Sequence, residues 1–126
     1  MKMILAIIPP DHLNKLLDDL DEHHVHGLTI TEARGFGQHD RDFTEVEMTH
    51  KLRLEIACHD DEADTIVDAI YKSAHTGRRG DGKIFVLPIF DALRIKTGER
   101  GPAALGPVQP GEGKAPNANI QAPEKL

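Results

Sequence analysis

The residues best suited to chemistry lie together in one stretch, Thr76-Gly77-Arg78-Arg79-Gly80-Asp81-Gly82-Lys83, which directly precedes an apolar run at 84–87. Glycines allow backbone N–H groups to approach a bound oxyanion, while arginine and lysine supply the charge that phosphate oxygens bind. The stretch therefore predicts a phosphate-binding loop that leads into a β-strand. It lacks the G-x-x-x-x-G-K-[ST] pattern of a Walker loop, and these residues alone leave open a polar hairpin turn with solvated charges.

The eight histidines and the single cysteine are the other side chains that could carry chemistry. His23, His24 and His26 lie at the predicted end of a helix, where spacings of one and two do not place all three on one helical face. The helix dipole favours cations at a helix C-terminus, so we expect no metal site there. Cys58 cannot form an intrachain disulfide, and we expect it to be a reduced core residue of a cytoplasmic protein.

Composition argues against several classes of protein. The 126-residue chain has a net charge of −6, which is unlike a general nucleic-acid-binding protein. No apolar run is long enough to span a bilayer, so we expect no membrane insertion. The apolar run at 3–8 lacks a small-residue cleavage site and is interpreted as a strand, not a signal peptide. No base and nucleophile are paired, so we predict no enzyme, with slow nucleotide hydrolysis the one activity left open.

The order of hydrophobic patterns predicts an α+β fold with a ferredoxin-like double βαβ arrangement. Four stretches have the patterns of strands: residues 3–8, 28–33, 52–56 and 84–87. Two amphipathic helical stripes with the spacing i, i+3, i+4 and i+7 lie between them: Leu13, Leu16, Leu17 and Leu20, then Ala63, Ile66, Val67 and Ile70. We therefore predict an antiparallel four-stranded sheet with both helices on one face.

The remaining segments are predicted to be caps, loops and a tail. Asp60 and Asp61 are expected to cap the second helix. Residues 35–50 are polar and predict an exposed loop, with a short hairpin at 43–48. Residues 101–126 hold five of the eight prolines and four of the eleven glycines. This composition predicts a domain at 1–100 followed by a flexible tail at 101–126. The apolar side of Leu28-Ile30 and Ile84-Val86 has no helix to cover it, which predicts a small oligomer with inward-facing sheets.

Three motifs resemble those of the PII signal-transduction proteins, in the same order, over residues 1 to about 101. Gly27-Leu28-Thr29-Ile30-Thr31-Glu32, followed by Gly35-Phe36-Gly37, is similar to the strand that enters the family's T-loop. The stretch 76–86 resembles the family's B-loop, and Arg94-Ile95-Lys96-Thr97-Gly98-Glu99-Arg100 resembles its C-terminal loop. The resemblance implies a homotrimer that binds adenine nucleotides between subunits and regulates a target protein.

The same resemblance implies roles for individual residues. Lys83 and the backbone at Gly80 and Gly82 would hold phosphates, which Arg94 and Lys96 would approach from the next subunit. The implied nucleotide-binding set is Thr29, Gly35, Phe36, Gly37, Gln38, Glu55, Thr76, Gly77, Arg78, Arg79, Gly80, Asp81, Gly82, Lys83, Arg94 and Lys96. Gln38, Lys51 and Arg53 are expected near an effector anion. Glu55 and Lys51 have a simpler alternative as exposed strand charges.

Departures from the usual PII pattern point to one subgroup. Residues 37–50 contain no tyrosine, the stretch is several residues shorter than in nitrogen-regulating members, and Lys96 replaces an arginine. This resembles the PII-like proteins encoded with carboxysome or inorganic-carbon genes, which sense ADP, AMP or ATP together with bicarbonate. A bicarbonate transporter or carboxysome component would be the target, and Mg²⁺ would accompany ATP alone. The alternatives are a nitrogen-regulating PII protein that senses 2-oxoglutarate and a metal-binding trimer like the CutA proteins.

Overall fold

The computed structural model describes residues 1–25, 27–37 and 49–106. Its strands and helices follow the predicted order: β1 (Lys2–Ile8), α1 (Leu13–Glu22), β2 (Thr29–Gly35), β3 (Thr49–Cys58), α2 (Ala63–Ala74) and β4 (Lys83–Pro88). The four strands form one sheet in the order β2-β3-β1-β4, and every pairing is antiparallel. This confirms the predicted double βαβ fold. The predicted hairpin at 43–48 lies outside the described residues.

The core lies between the helices and one face of the sheet. Alternate residues of the two central strands are buried there, namely Ile4, Ala6 and Ile8 of β1 and Leu52, Leu54, Ile56 and Cys58 of β3. Leu16 and Leu20 of α1 and Ile66 and Ile70 of α2 cover them. Burial raises the pKa of the Cys58 thiol, as expected for the core residue that the sequence predicted.

The start of α2 differs from the predicted cap. Residues Asp60–Glu62 form a 3₁₀ turn before the helix, and the Glu62 carboxylate accepts a hydrogen bond from the His59 backbone N–H at 2.9 Å. Asp60 binds the N-terminal ammonium of Met1 at 2.8 Å, and this contact lowers the pKa of the Asp60 carboxyl. The predicted capping by Asp60 and Asp61 is therefore wrong, because Asp60 ties the start of β1 to this turn.

The sheet face opposite the helices is apolar along β1 and β4, but its residues differ from the predicted ones. Ile30, Ile84 and Val86 are in register with Leu54, Ala6 and Ile4, so they lie on the helix side of the sheet, where Ile30 and Val86 remain 37% and 50% exposed. The prediction assigned the wrong alternate residues to the open face, because successive side chains of a strand point to opposite faces. The open face instead carries Met3, Leu5, Ile7, Phe85 and Leu87 from the adjacent strands β1 and β4.

The chain remains ordered beyond the predicted domain boundary at residue 100. Gly101–Ala104 form a 3₁₀ turn, and the Gly101 N–H donates to the Ala92 carbonyl at 2.9 Å. The first residues of the predicted tail therefore pack against the domain. Residues 107–126 lie outside the described part of the chain.

Candidate functional site

An open cleft of about 610 Å³ lies at the end of the sheet where β1 and β2 finish and β3 and β4 begin. Five chain segments converge on it: the ends of β1 and β2, the first residues of β3, the loop between α2 and β4, and the start of β4. Its lining comprises Ile7, Gly35, Phe36, Gly37, Lys51, Arg78, Gly80, Asp81, Gly82, Lys83 and Phe85. The antiparallel register positions these segments together, because it sets Lys83 opposite Ile7 and Lys51 opposite Ala33.

The predicted phosphate loop, residues 76–83, depends on its glycines. Gly77, Gly80 and Gly82 have φ angles of 79°, 86° and 103°, a region that side chains with a Cβ rarely adopt. Gly82 also lies against β1, where a Cβ would be 1.9 Å from the carbonyl oxygen of Ile7. Any residue other than glycine at position 82 would therefore push the loop away from the sheet.

Asp81 holds the loop closed from within. Its carboxylate accepts hydrogen bonds from the Thr76 hydroxyl at 2.5 Å, the Thr76 N–H at 2.8 Å and the Gly77 N–H at 2.9 Å. These bonds, the one from the Thr76 hydroxyl foremost, lower the pKa of Asp81. His75 Nδ1 lies 3.8 Å from the same carboxylate. Thr76, Gly77 and Asp81 thus have partners inside the loop, and their predicted contacts with a nucleotide stay a prediction.

Cationic and apolar side chains share the cleft. Arg78 and Lys83 come from the loop and Lys51 from β3, whereas Arg79 is exposed and does not line the cleft. Ile7, Phe36 and Phe85 supply apolar surface. Sequence reasoning missed Ile7 and Phe85. The alternation of β1 and β4 could have identified them, since both lie on the open face beside Lys83.

Thr29 and Glu55 are brought together, but away from this cleft. They are directly opposite each other in the β2–β3 ladder. β2 rises roughly 3.4 Å per residue, so Thr29 and Gly35 at its two ends are about 20 Å apart. Arg53 pairs with Glu55, with Nε 3.2 Å from Oε1, and does not line the cleft. Of the residues expected near an anion, only Lys51 lines it among the described ones, and Gln38 lies outside them.

Arg94 and Lys96 belong to the C-terminal loop and do not reach the cleft of their own chain. The loop is closed by backbone bonds from Arg94 N–H to Glu99 O at 2.8 Å and from Gly98 N–H to Arg94 O at 2.7 Å. Arg100 donates twice to Asp91, at 2.7 and 3.1 Å, and lowers the pKa of that carboxyl. Lys96 is exposed. Contact of Arg94 or Lys96 with a cleft therefore requires a second copy of the chain.

A second, smaller cleft of about 340 Å³ lies on the helix side of the same loop. Tyr71 and His75 stack there with ring centroids 4.9 Å apart, next to Ile84. His23 and His24 are exposed, and His26 lies outside the described residues. No group of three or more His, Cys, Asp or Glu side chains in residues 1–25, 27–37 and 49–106 could hold a metal ion. In the same ranges, no helix is long and apolar enough to cross a membrane.

The family model described as "Nitrogen regulatory protein P-II" matches residues 1–99 of the chain. The chain belongs to the PII family. It is 41% identical to the nitrogen regulatory protein P-II of Azospirillum brasilense and 42% identical to nitrogen regulatory protein P-II 1 of Escherichia coli K12, each over 83% of this chain and 100% of the relative. Nitrogen regulatory protein P-II 2 of Methanothermobacter thermautotrophicus is 40% identical, over 83% of this chain and 97% of the relative.

The role of Asp81 predicts a pH-dependent loop. Because the folded-state pKa of Asp81 lies below its ordinary value of about 3.9, its contribution is complete above that value and is lost as the pH falls through the lowered pKa. We expect the amide NMR signals of Thr76 and Gly77 to titrate with a midpoint below about 3.9. Asp81→Asn should abolish this titration, and Asp64→Asn, which removes an exposed charge from α2, should not. A midpoint at or above the ordinary value would contradict the assignment.

Proposed function

We propose that this PII family protein is a sensor that binds adenine nucleotides (ADP, AMP or ATP) at clefts between the subunits of a homotrimer and responds to a small anion, bicarbonate. The observation that carries the proposal is the convergence of the glycine loop, Lys51, Arg78 and Lys83 on one cleft with an apolar wall. We propose a signalling role, not catalysis, and Mg²⁺ would be needed only to accompany ATP.

Charge in the cleft favours a phosphate ligand. The chain has a net charge of −6, yet three cations and one carboxylate line this cleft among the described residues. That carboxylate, Asp81, already accepts three hydrogen bonds from its own loop. This excess of positive charge in an acidic protein favours a strongly charged anion such as a di- or triphosphate, with Arg78 and Lys83 of the loop as its main partners.

Shape and polarity favour a nucleotide over a free phosphate. A cleft of about 610 Å³ is within the range of about 300–1,000 Å³ that is usual for ligand sites, and it is far larger than an isolated phosphate needs. Ile7, Phe36 and Phe85 offer the apolar surface that a purine base requires, next to the cations. The proposed arrangement has phosphates at residues 80–83 and the base against the apolar wall.

Assembly explains the site residues that a single chain keeps apart. Phe85 and Leu87 are 46% and 42% exposed and adjoin Met3, Leu5 and Ile7, so a continuous apolar face needs a cover. In a trimer with these faces inward, the Thr29–Glu55 pair or the C-terminal loop of one subunit can meet the cleft of the next. This geometry would restore the nucleotide-binding set inferred from the sequence.

The choice of anion rests on the cleft entrance. Lys51 lines the cleft beside Gly35 and Gly37, where β2 and β3 lead to residues 38–48. The absence of tyrosine from residues 37–50 and the shortness of this stretch support the bicarbonate-sensing subgroup. The alignment with the Azospirillum protein has 113 positions, whereas 83% of 126 residues is about 105, so about eight positions lie opposite gaps in this chain. A bicarbonate transporter or a carboxysome component would then be the target protein.

The second candidate is the conventional role, a nitrogen-regulating PII protein that senses 2-oxoglutarate. The names of the relatives, nitrogen regulatory proteins, favour it. The two candidates share the nucleotide site and differ only in the anion, so one set of titrations can distinguish them. The metal-binding trimer considered from the sequence is not supported by the family assignment.

Removal of the Lys83 ammonium should weaken nucleotide binding. We expect Lys83→Ala to reduce the affinity for ATP or ADP by roughly 1.5–3 kcal/mol, the range for a charge-assisted hydrogen bond. The matched control is Lys72→Ala, which removes an exposed lysine that pairs with Asp68 on α2. Isothermal calorimetry measures both. No binding heat for ATP, ADP or AMP with the wild-type protein would reject the nucleotide proposal.

The effector anion should change nucleotide affinity. Linkage requires that two ligands which bind together change each other's affinity by the same factor. Bicarbonate should therefore tighten the binding of ADP or AMP by the factor by which the nucleotide tightens the binding of bicarbonate. We expect Lys51→Ala to reduce this coupling and Lys15→Ala, an exposed change on α1, to preserve it. Titrations with bicarbonate, 2-oxoglutarate and chloride at fixed pH and ionic strength compare the candidates. Coupling to 2-oxoglutarate alone would reject bicarbonate and establish the conventional role.

The assembly should be trimeric in solution. We expect light scattering at micromolar concentration to give three times the 13.9 kDa chain mass. A charge on the open face, introduced as Leu5→Glu, should dissociate the trimer because it would be buried without a partner. Glu22→Gln on the exposed end of α1 is the control. A monomer mass for the wild-type chain would contradict the proposed assembly.

A further inference from the structure

The guanidinium of Arg94 is occupied by residues 103–106 of its own chain. Its Nη2 donates to the backbone carbonyls of Ala103, at 3.4 Å, and Gly106. Its Nε lies 2.9 Å from Oε1 of Glu99, an ion pair between two side chains that are each about one-fifth exposed. Arg94 is thus enclosed by residues 99–106, whereas Lys96, two positions later, is exposed.

The segment that provides these carbonyls is held in place by its own contacts. Gly101–Ala104 form a 3₁₀ turn in which the Leu105 N–H donates to the Pro102 carbonyl at 3.1 Å. The Gly101 N–H donates to the Ala92 carbonyl and fixes the start of the turn to the C-terminal loop. The match to the family model ends at residue 99, so both carbonyls lie beyond the matched region.

The enclosure leaves Arg94 incompletely satisfied. The Nε atom is buried, and its N–H is not directed at Glu99, so it has no hydrogen-bond acceptor among the described residues. The acceptors at Nη2 are neutral carbonyls, which bind a guanidinium less strongly than charged oxygens do. An arginine in this state would gain hydrogen-bond energy from a phosphate that replaced the carbonyls.

We propose that residues 103–106 form an autoinhibitory contact that competes with nucleotide phosphates for Arg94. The inference rests on the proposed function, in which Arg94 of one subunit reaches the phosphates in the cleft of the next. Nucleotide binding then requires release of residues 103–106 from Arg94. The affinity for nucleotide is lowered by the cost of that release, and residues 103–106 are freed when the site is filled.

The experiment compares two truncated trimers by calorimetry with ATP. One chain ends at Pro102 with an amidated C-terminus, which removes both carbonyls, adds no carboxylate beside Arg94 and retains the Gly101 bond to Ala92. The other ends at Gln109, is amidated in the same way and retains both carbonyls. Both lack every charged residue of the tail, Glu112, Lys114, Glu124 and Lys125, so their net charges are equal. We expect the chain that ends at Pro102 to bind ATP about fivefold more tightly, the factor that one net hydrogen bond of average strength provides.

Arg94→Gln in both backgrounds completes a double-mutant cycle. The difference between the two truncations should disappear in this background, because no guanidinium remains for the carbonyls to occupy. A gain that persisted without Arg94 would place the effect of the segment elsewhere and overturn the inference. If the chain that ends at Pro102 does not form a folded trimer, hydrogen exchange of the full-length chain takes its place: the Leu105 amide, which donates to the Pro102 carbonyl, should exchange faster with ATP bound, and unchanged exchange would overturn the inference.

The outcomes separate this inference from the proposal on which it rests. Equal ATP affinity in the two folded truncations would overturn the autoinhibitory contact and leave nucleotide binding intact. Absence of ATP binding in every chain would overturn the proposed function and the inference together. Weaker binding after removal of residues 103–106 would show that the segment supports the site, which also contradicts the inference.

Discussion

The close approach of Gly82 to the carbonyl of Ile7 is the constraint on which the rest of the site depends. It allows the loop to enter β4 in direct contact with β1, and the register then sets Lys83 opposite Ile7. Because β2 and β3 belong to the same sheet, the end of β2 and the start of β3 meet the loop at this corner of the sheet. A Cβ at position 82 would displace the loop, and with it Arg78 and Lys83, from Lys51 and Phe36.

Within this corner, holding the loop and presenting charge are tasks of different residues. Asp81 and Thr76 hydrogen-bond to each other, and Asp81 also accepts from backbone N–H groups, so these side chains maintain the shape of the loop. Arg78 and Lys83 are left to line the cleft. Such preorganisation lowers the ordering cost that binding would otherwise carry. The C-terminal loop follows the same pattern, with Asp91 and Arg100 closing it around Arg94.

Local patterns predicted the fold well, whereas pairings between distant residues had to come from the structure. The leucine stripe of α1 and the glycines of 76–83 identified a helix and a loop because each pattern lies within its own element. The open face was assigned to Ile84 and Val86 because both apolar sets of β4 look alike in sequence and only the register with β1 separates them. The engagement of Asp60 by the N-terminal ammonium and of Arg94 by residues 103–106 depends on contacts that no local pattern encodes.

A crystal structure of the trimer with bound ADP or ATP tests the central claim most directly. The account predicts phosphate oxygens at the backbone of Gly80 and Gly82 and at the ammonium of Lys83, with the base against the apolar wall that includes Ile7 and Phe85. Nucleotide phosphates in the smaller cleft beside Tyr71 and His75, on the opposite side of the loop, would contradict it.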